Sequence, residues 1–137
     1  MYLVVSRFRR LVEPVVRGPS GILVTAAVFG VSAGIGGRTG VALASLWVLV
    51  SGTYCLANWW CCRETHCVLT GAGWTLVALV GLAAGVAPGG VLGWYRVDVL
   101  ALLYLGILGA GYAFEGAVAA RTGHHSLGVG KDGAEAR

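Results

Sequence analysis

Val68-Leu69-Thr70-Gly71-Ala72-Gly73-Trp74-Thr75-Leu76-Val77-Ala78-Leu79-Val80-Gly81-Leu82-Ala83-Ala84-Gly85-Val86 runs for nineteen residues without a charged side chain. As a helix it reaches about 28 Å at ~1.5 Å per residue, close to the ~30 Å hydrocarbon core of a bilayer. Three more uncharged intervals share the 137-residue chain: 20 residues over 18–37, 24 over 39–62 and 16 over 99–114. The chain is 57% hydrophobic and only 12% charged, with a mean hydropathy of +0.78. Soluble domains carry about a quarter charged residues. These intervals predict an all-α integral membrane bundle of four transmembrane helices over 20–37, 41–62, 68–86 and 99–120. The length suits one membrane domain, 1–137, with no separate soluble domain.

The formal charge of +4 would suit nucleic acid, but its distribution suits a bilayer. Arg7, Arg9, Arg10 and Arg17 precede the first span, Arg63 lies between spans two and three, and Arg121, Lys131 and Arg137 follow span four. Only Arg38 and Arg96 fall in the other two connections. Eight basic residues against two predict that both termini are cytoplasmic, and contacts with anionic lipid account for the excess. No nucleic-acid role is needed. The Arg-over-Lys, Ala/Gly/Val-rich composition suits a GC-rich prokaryotic source, hence a multi-pass protein of the plasma membrane.

Residues 1–19 interleave Leu3, Val4, Val5, Phe8, Leu11 and Val12 with Arg7, Arg9 and Arg10, and Pro14 reads as a stop. This composition predicts an amphipathic segment lying on the cytoplasmic leaflet. A secretory signal is disfavoured because the apolar run from Ile22 continues to Gly36 without a small-x-small cleavage site. Gly30-x-x-x-Gly34, Gly81-x-x-x-Gly85, Gly106-x-x-x-Ala110 and Gly116-x-x-x-Ala120 predict close helix packing in three spans. Trp59 and Trp60, and Trp94-Tyr95-Arg96, read as interfacial belts. The tail 121–137 is polar and Gly-rich and reads as flexible and cytoplasmic.

Chemistry concentrates in Asn58-Trp59-Trp60-Cys61-Cys62-Arg63-Glu64-Thr65-His66-Cys67. On the cytoplasmic side thiols stay reduced, so a structural disulfide is not expected. Three uses of the cysteines remain open. Cys62, His66 and Cys67, with Cys61 and Cys55, form a soft N/S set suited to Zn, Cu or Hg. A thiolate beside Arg63 could carry redox or transfer chemistry, since a nearby cation favours the charged form. Alternatively the cysteines are small apolar residues packing in a turn. In a continuous helix Cys55, Asn58 and Cys62 share one face, while the cluster lacks the paired Cys-x-x-Cys spacing of structural zinc modules.

The neighbouring polar residues have plainer readings beside the functional ones. Arg63 and Glu64 suit an interfacial pair worth about 0–1 kcal/mol, and Thr70 suits a cap near the start of span three. Asn58 suits interhelical hydrogen bonding. Glu115 is the one carboxylate inside a span, and reads either as a proton or ion coupler facing the bundle or as a group close enough to the interface to reach water. Tyr54, Tyr104 and Tyr112 read as packing or interface residues, and His124-His125 as a solvated pair rather than a second metal contact. Ser-His-Asp, paired-carboxylate and phosphate-cradling loop motifs are absent from the sequence.

The string Cys62-Arg63-x-x-His66-Cys67-x-x-Thr70-Gly71, with Asn58 before it and apolar helices on both sides, resembles a group of small prokaryotic membrane proteins without an assigned activity. That resemblance implies a shared loop design and no function. In length, span count and its vicinal cysteine pair the chain is also similar to the small mercury-resistance membrane transporters. Those proteins carry the pair inside their first span, whereas this first span has no cysteine.

Three functions are therefore expected to compete. One is a small binder or transporter of a soft metal or thiol-reactive species through a cytoplasmic Cys/His loop. The second is a non-catalytic scaffold or accessory subunit that packs through glycine-rich faces against itself or a larger membrane partner. The third is a thiol redox enzyme.

Overall fold

The computed structural model describes residues 2–16, 18–62, 65–86 and 95–122, without the side chains of residues 2–6, 9, 61 and 62. All regular structure among them is helical: α1 (Tyr2–Val16), α2 (Gly18–Ile35), α3 (Gly37–Cys62), α4 (Thr65–Val86) and α5 (Val97–Thr122). Helices α2 to α5 are each long and apolar enough to cross a membrane. Ile22, Leu76, Leu102 and Leu105 are 60–72% exposed on their outer faces. A soluble bundle would be prone to aggregate through such a surface, and a bilayer covers it. The chain is a four-span all-α membrane bundle with a fifth, amphipathic helix at its start.

Helix boundaries differ from the sequence expectation where a charge bordered the apolar run. α3 begins at Gly37 instead of Val41 and includes Arg38, and α5 takes in Asp98, Arg121 and Thr122. A charged side chain limits the apolar stretch, but does not stop a helix whose end lies at the headgroup level. Pro14 likewise does not end α1, which continues to Val16. Proline removes one backbone hydrogen bond while its own φ is helical; the reversal falls at Gly18, whose φ is +75°. The Ser20 hydroxyl then donates to the Pro14 carbonyl at 2.9 Å and ties the two helices together. Between α2 and α3 the chain turns on Gly36 and Gly37, at φ +66° and +55°, a region costly for residues with a Cβ.

The principal seam joins α3 to α4. A Cβ on Gly52 would lie 2.8 Å from the Thr75 amide nitrogen, and one on Gly71 would lie 3.0 Å from that of Leu56. Gly81 faces Ser45, and Gly85 faces Ala42. These pairs descend one helix as they climb the other, so the two are antiparallel with their backbones close. Gly81-x-x-x-Gly85 thus packs as expected. The other three small-residue motifs do not: a Cβ on Gly30, Gly34, Gly106 or Gly116 would meet no other helix within 4 Å. α2 instead turns Gly21 and Ser32 inward, and α5 turns Leu100, Tyr104 and Gly111.

The core contains Val41, Ala44, Val48, Trp74, Ala78, Tyr95, Leu100 and Tyr104. Tyr95 corrects a second expectation, since it is only 5% exposed and not part of an interfacial belt. Its hydroxyl donates to the Val77 carbonyl at 2.7 Å, and burial pushes its phenol above the usual value. Tyr95→Phe is expected to cost about 1 kcal/mol, measured as a lower unfolding midpoint in detergent. Trp94, Arg63, Glu64, His124 and His125 lie outside the described residues.

Candidate functional site: a thiol, an imidazole and a carboxylate beside an apolar cavity

α4 starts at Thr65, so His66 and Cys67 occupy its first turn and not an open hairpin loop. Thr70 is correspondingly not a cap. It lies within the helix, fully buried, and its hydroxyl donates to the His66 carbonyl at 2.6 Å. Such a back-bond satisfies a hydroxyl in an apolar setting. The Thr70 methyl also fills the space beside Gly111 of α5, where a side chain would push α5 away from His66.

Two other helices complete the group with residues spaced i, i+3, which puts each pair on one face. From α3 come Cys55 and Asn58. From α5 come Tyr112 and Glu115. His66 Nδ1 lies 2.7 Å from Glu115 Oε2, with the two side chains 17% and 15% exposed. The Tyr112 ring stacks on the imidazole at 4.9 Å between centroids and 21° between planes. On the other side of the ring, Nε2 lies 3.4 Å from Cys67 Sγ. Asn58 Nδ2 donates to the same sulfur, also at 3.4 Å, and Cys55, one turn before Asn58, lines the same cavity. Cys55 and Cys67 are both thiols, without a disulfide.

The hydrogen-bonding capacities order these contacts. An ionised carboxylate only accepts, so a proton on Nδ1 would go to Glu115 and leave the Nε2 lone pair. That nitrogen is the one 3.4 Å from Cys67 Sγ. Loss of the thiol proton to Nε2 would create an imidazolium held by Glu115 and a thiolate held by Asn58. This is the logic of a nucleophile, a base and an orienting carboxylate, assembled from three helices. The His66 and Glu115 side chains keep 17% and 15% exposure, while Cys67 is buried at 2%.

The group opens into a cavity of about 780 Å³ bounded by α2, α3, α4 and α5, with Val16 of α1 at its edge. Cys55, Asn58, His66 and Cys67 line one end. Phe29, Trp74 and Tyr104 line the other: Trp74 and Tyr104 stack at 4.2 Å, Phe29 meets Tyr104 at 5.7 Å, and the Trp74 indole donates to the Tyr104 carbonyl at 2.9 Å. From Gly18 to Phe29 the cavity follows α2 for about 16 Å.

Of the candidate residues read from sequence, the structure brings Cys55, Asn58, His66, Cys67, Thr70 and Glu115 together. The side chains of Cys61 and Cys62, and all of Arg63 and Glu64, lie outside the described residues. Among the described residues no three or more His, Cys, Asp and Glu side chains are arranged to hold a metal ion. From the sequence Tyr104 and Tyr112 read only as packing or interface residues, and Phe29 and Trp74 are not singled out. The i, i+3 spacing of Tyr112 and Glu115 was the available signal for Tyr112. No protein-family model matches the chain, and neither a curated protein nor a solved structure does.

Proposed function

We propose that this chain is a membrane-embedded thiol protein in which Cys67 is the reactive group, His66 its base and Glu115 the residue that orients and charges the base. The observation that carries this reading is the continuous Glu115–His66–Cys67 contact ending at an apolar cavity. A histidine and a carboxylate 49 residues apart meet on the side of the ring away from the thiol. Packing alone does not require that arrangement, and a base for the thiol does. An apolar or amphiphilic substrate suits the cavity, because a strongly hydrated one would lose its water there. The uneven distribution of arginine and lysine supports cytoplasmic termini in a prokaryotic plasma membrane, which would put the relay at the cytoplasmic end of the bundle.

The adjacent thiols and imidazole support a second reading, a carrier of a soft cation such as Zn, Cu or Hg. It needs Cys61 or Cys62 to add ligands to Cys55, Cys67 and His66. One experiment separates the two. Reduced protein in lipid nanodiscs is treated with a lipophilic maleimide, the labelled cysteines are mapped by peptide mass spectrometry, and bound metal is measured in parallel. The thiol reading expects Cys67 to be labelled ahead of Cys55, with no metal retained. Stoichiometric metal that is lost in Cys67→Ser would favour the carrier. An unlabelled Cys67 without metal would leave the scaffold reading.

A further inference from the structure

We propose that Cys55 and Cys67 are a redox pair that passes two electrons to a lipid-soluble quinone bound in the apolar cavity. The inference rests on the thiol reading above and specifies its substrate. A nucleophilic thiol used for group transfer needs one cysteine. Here a second, Cys55 of the neighbouring α3, lines the same cavity one turn before the Asn58 whose amide lies 3.4 Å from Cys67 Sγ, where it can resolve a covalent adduct on Cys67.

The shape of the cavity names the acceptor class. Its lining includes Ile22 of α2 and Leu105 of α5, which are 72% and 60% exposed, so the mouth lies on the lipid-facing surface between those helices. A ligand would enter from the bilayer rather than from water. The elongated interior suits a flat ring with an apolar tail, and the aromatic surfaces of Tyr112 and Tyr104 offer stacking contacts along the way. An acceptor that takes two electrons and two protons, dissolves in lipid and stacks on aromatic rings is a quinone.

The step balances without another reactant. Cys67 gives its proton to His66 Nε2, and the thiolate adds to a ring carbon of the quinone. The Cys55 thiol then attacks Cys67 Sγ, so an S–S bond forms while the S–C bond breaks and its electron pair leaves on the ring. One proton from His66 and one from Cys55 complete the quinol. Two thiols are oxidised to one disulfide, and one quinone is reduced.

The test uses reduced protein in nanodiscs with Cys61→Ser and Cys62→Ser, exposed to a decyl-substituted benzoquinone. The expected result is one equivalent of quinol by absorbance and a Cys55–Cys67 disulfide by peptide mapping. Adding Cys55→Ser should stop the reaction at a Cys67–quinone adduct visible by intact mass. Ala26→Phe, which narrows the mouth, should slow quinol formation by about tenfold, the scale of a disturbed apolar pocket, while small alkylating reagents still reach Cys67. Failure to form the disulfide, with Cys67 still alkylated readily, would overturn the quinone proposal and leave the thiol reading in place. Failure of both reactions would remove both. Disulfide formation at the same rate in Ala26→Phe would show that the quinone acts from outside the cavity and would also overturn the proposal.

Discussion

His66→Ala is expected to lower the rate at which iodoacetamide alkylates Cys67 at neutral pH by about 10²-fold, the lower end of what a positioned base supplies. The measurement needs Cys67 as the sole cysteine, with Cys55, Cys61 and Cys62 replaced by serine. The effect follows from the 3.4 Å contact of Nε2 with Sγ. Glu115→Gln should have a smaller effect, about tenfold, in the range seen when a group that acts through another is altered. A glutamine carbonyl can still accept the Nδ1 proton, but it carries no charge to hold an imidazolium. Glu115 acts only through His66, so the double variant should be no slower than His66→Ala alone. Additive losses would mean that the carboxylate reaches the thiol by another route.

The second large effect is structural. Gly71→Ala and Gly52→Ala should each destabilise the bundle by about 1–3 kcal/mol, the cost of forcing atoms into a packed interior. Each new methyl would meet backbone nitrogen, of Leu56 and Thr75 respectively, and backbone cannot rotate aside as a side chain can. Relief requires α3 and α4 to separate, which draws Cys55 and Asn58 away from Cys67. Unfolding midpoints in detergent should therefore fall together with Cys67 reactivity. Gly30→Ala, Gly34→Ala and Gly106→Ala put the same methyl into open space and should leave both within about 0.5 kcal/mol or slightly improved, since alanine favours helix.

That contrast shows what the sequence can express. Arg17, Arg38, Arg63 and Arg96 delimit four apolar intervals, and lipid allows few structures over such lengths, so the number and order of spans are legible. Which face of a span turns inward is not. In lipid both faces of α2 are apolar, so Gly30 and Gly34 look as suited to packing as Gly21 and Ser32, and only the neighbouring helices decide. The site divides the same way. Cys55 with Asn58, and His66 with Cys67, are local in sequence, and i, i+3 spacing puts the first two on one helix face. The contact between His66 and Glu115 depends on how α5 returns across α4. Nothing near Glu115 in sequence names its partner, although Tyr112 one turn earlier marks the face that meets the imidazole. Thr70 illustrates the opposite error: beside a presumed loop it resembles a cap, and only the start of α4 at Thr65 shows it to be interior.

The relay stands or falls on which nitrogen of His66 bears the proton. Nitrogen-15 NMR of histidine-labelled protein in nanodiscs, with His124 and His125 replaced by glutamine so that one imidazole remains, reads this directly. The geometry predicts a protonated, strongly hydrogen-bonded Nδ1 whose resonance moves in Glu115→Gln, and an Nε2 whose resonance responds to Cys67→Ser. A bare Nδ1, or a spectrum indifferent to both substitutions, would contradict it.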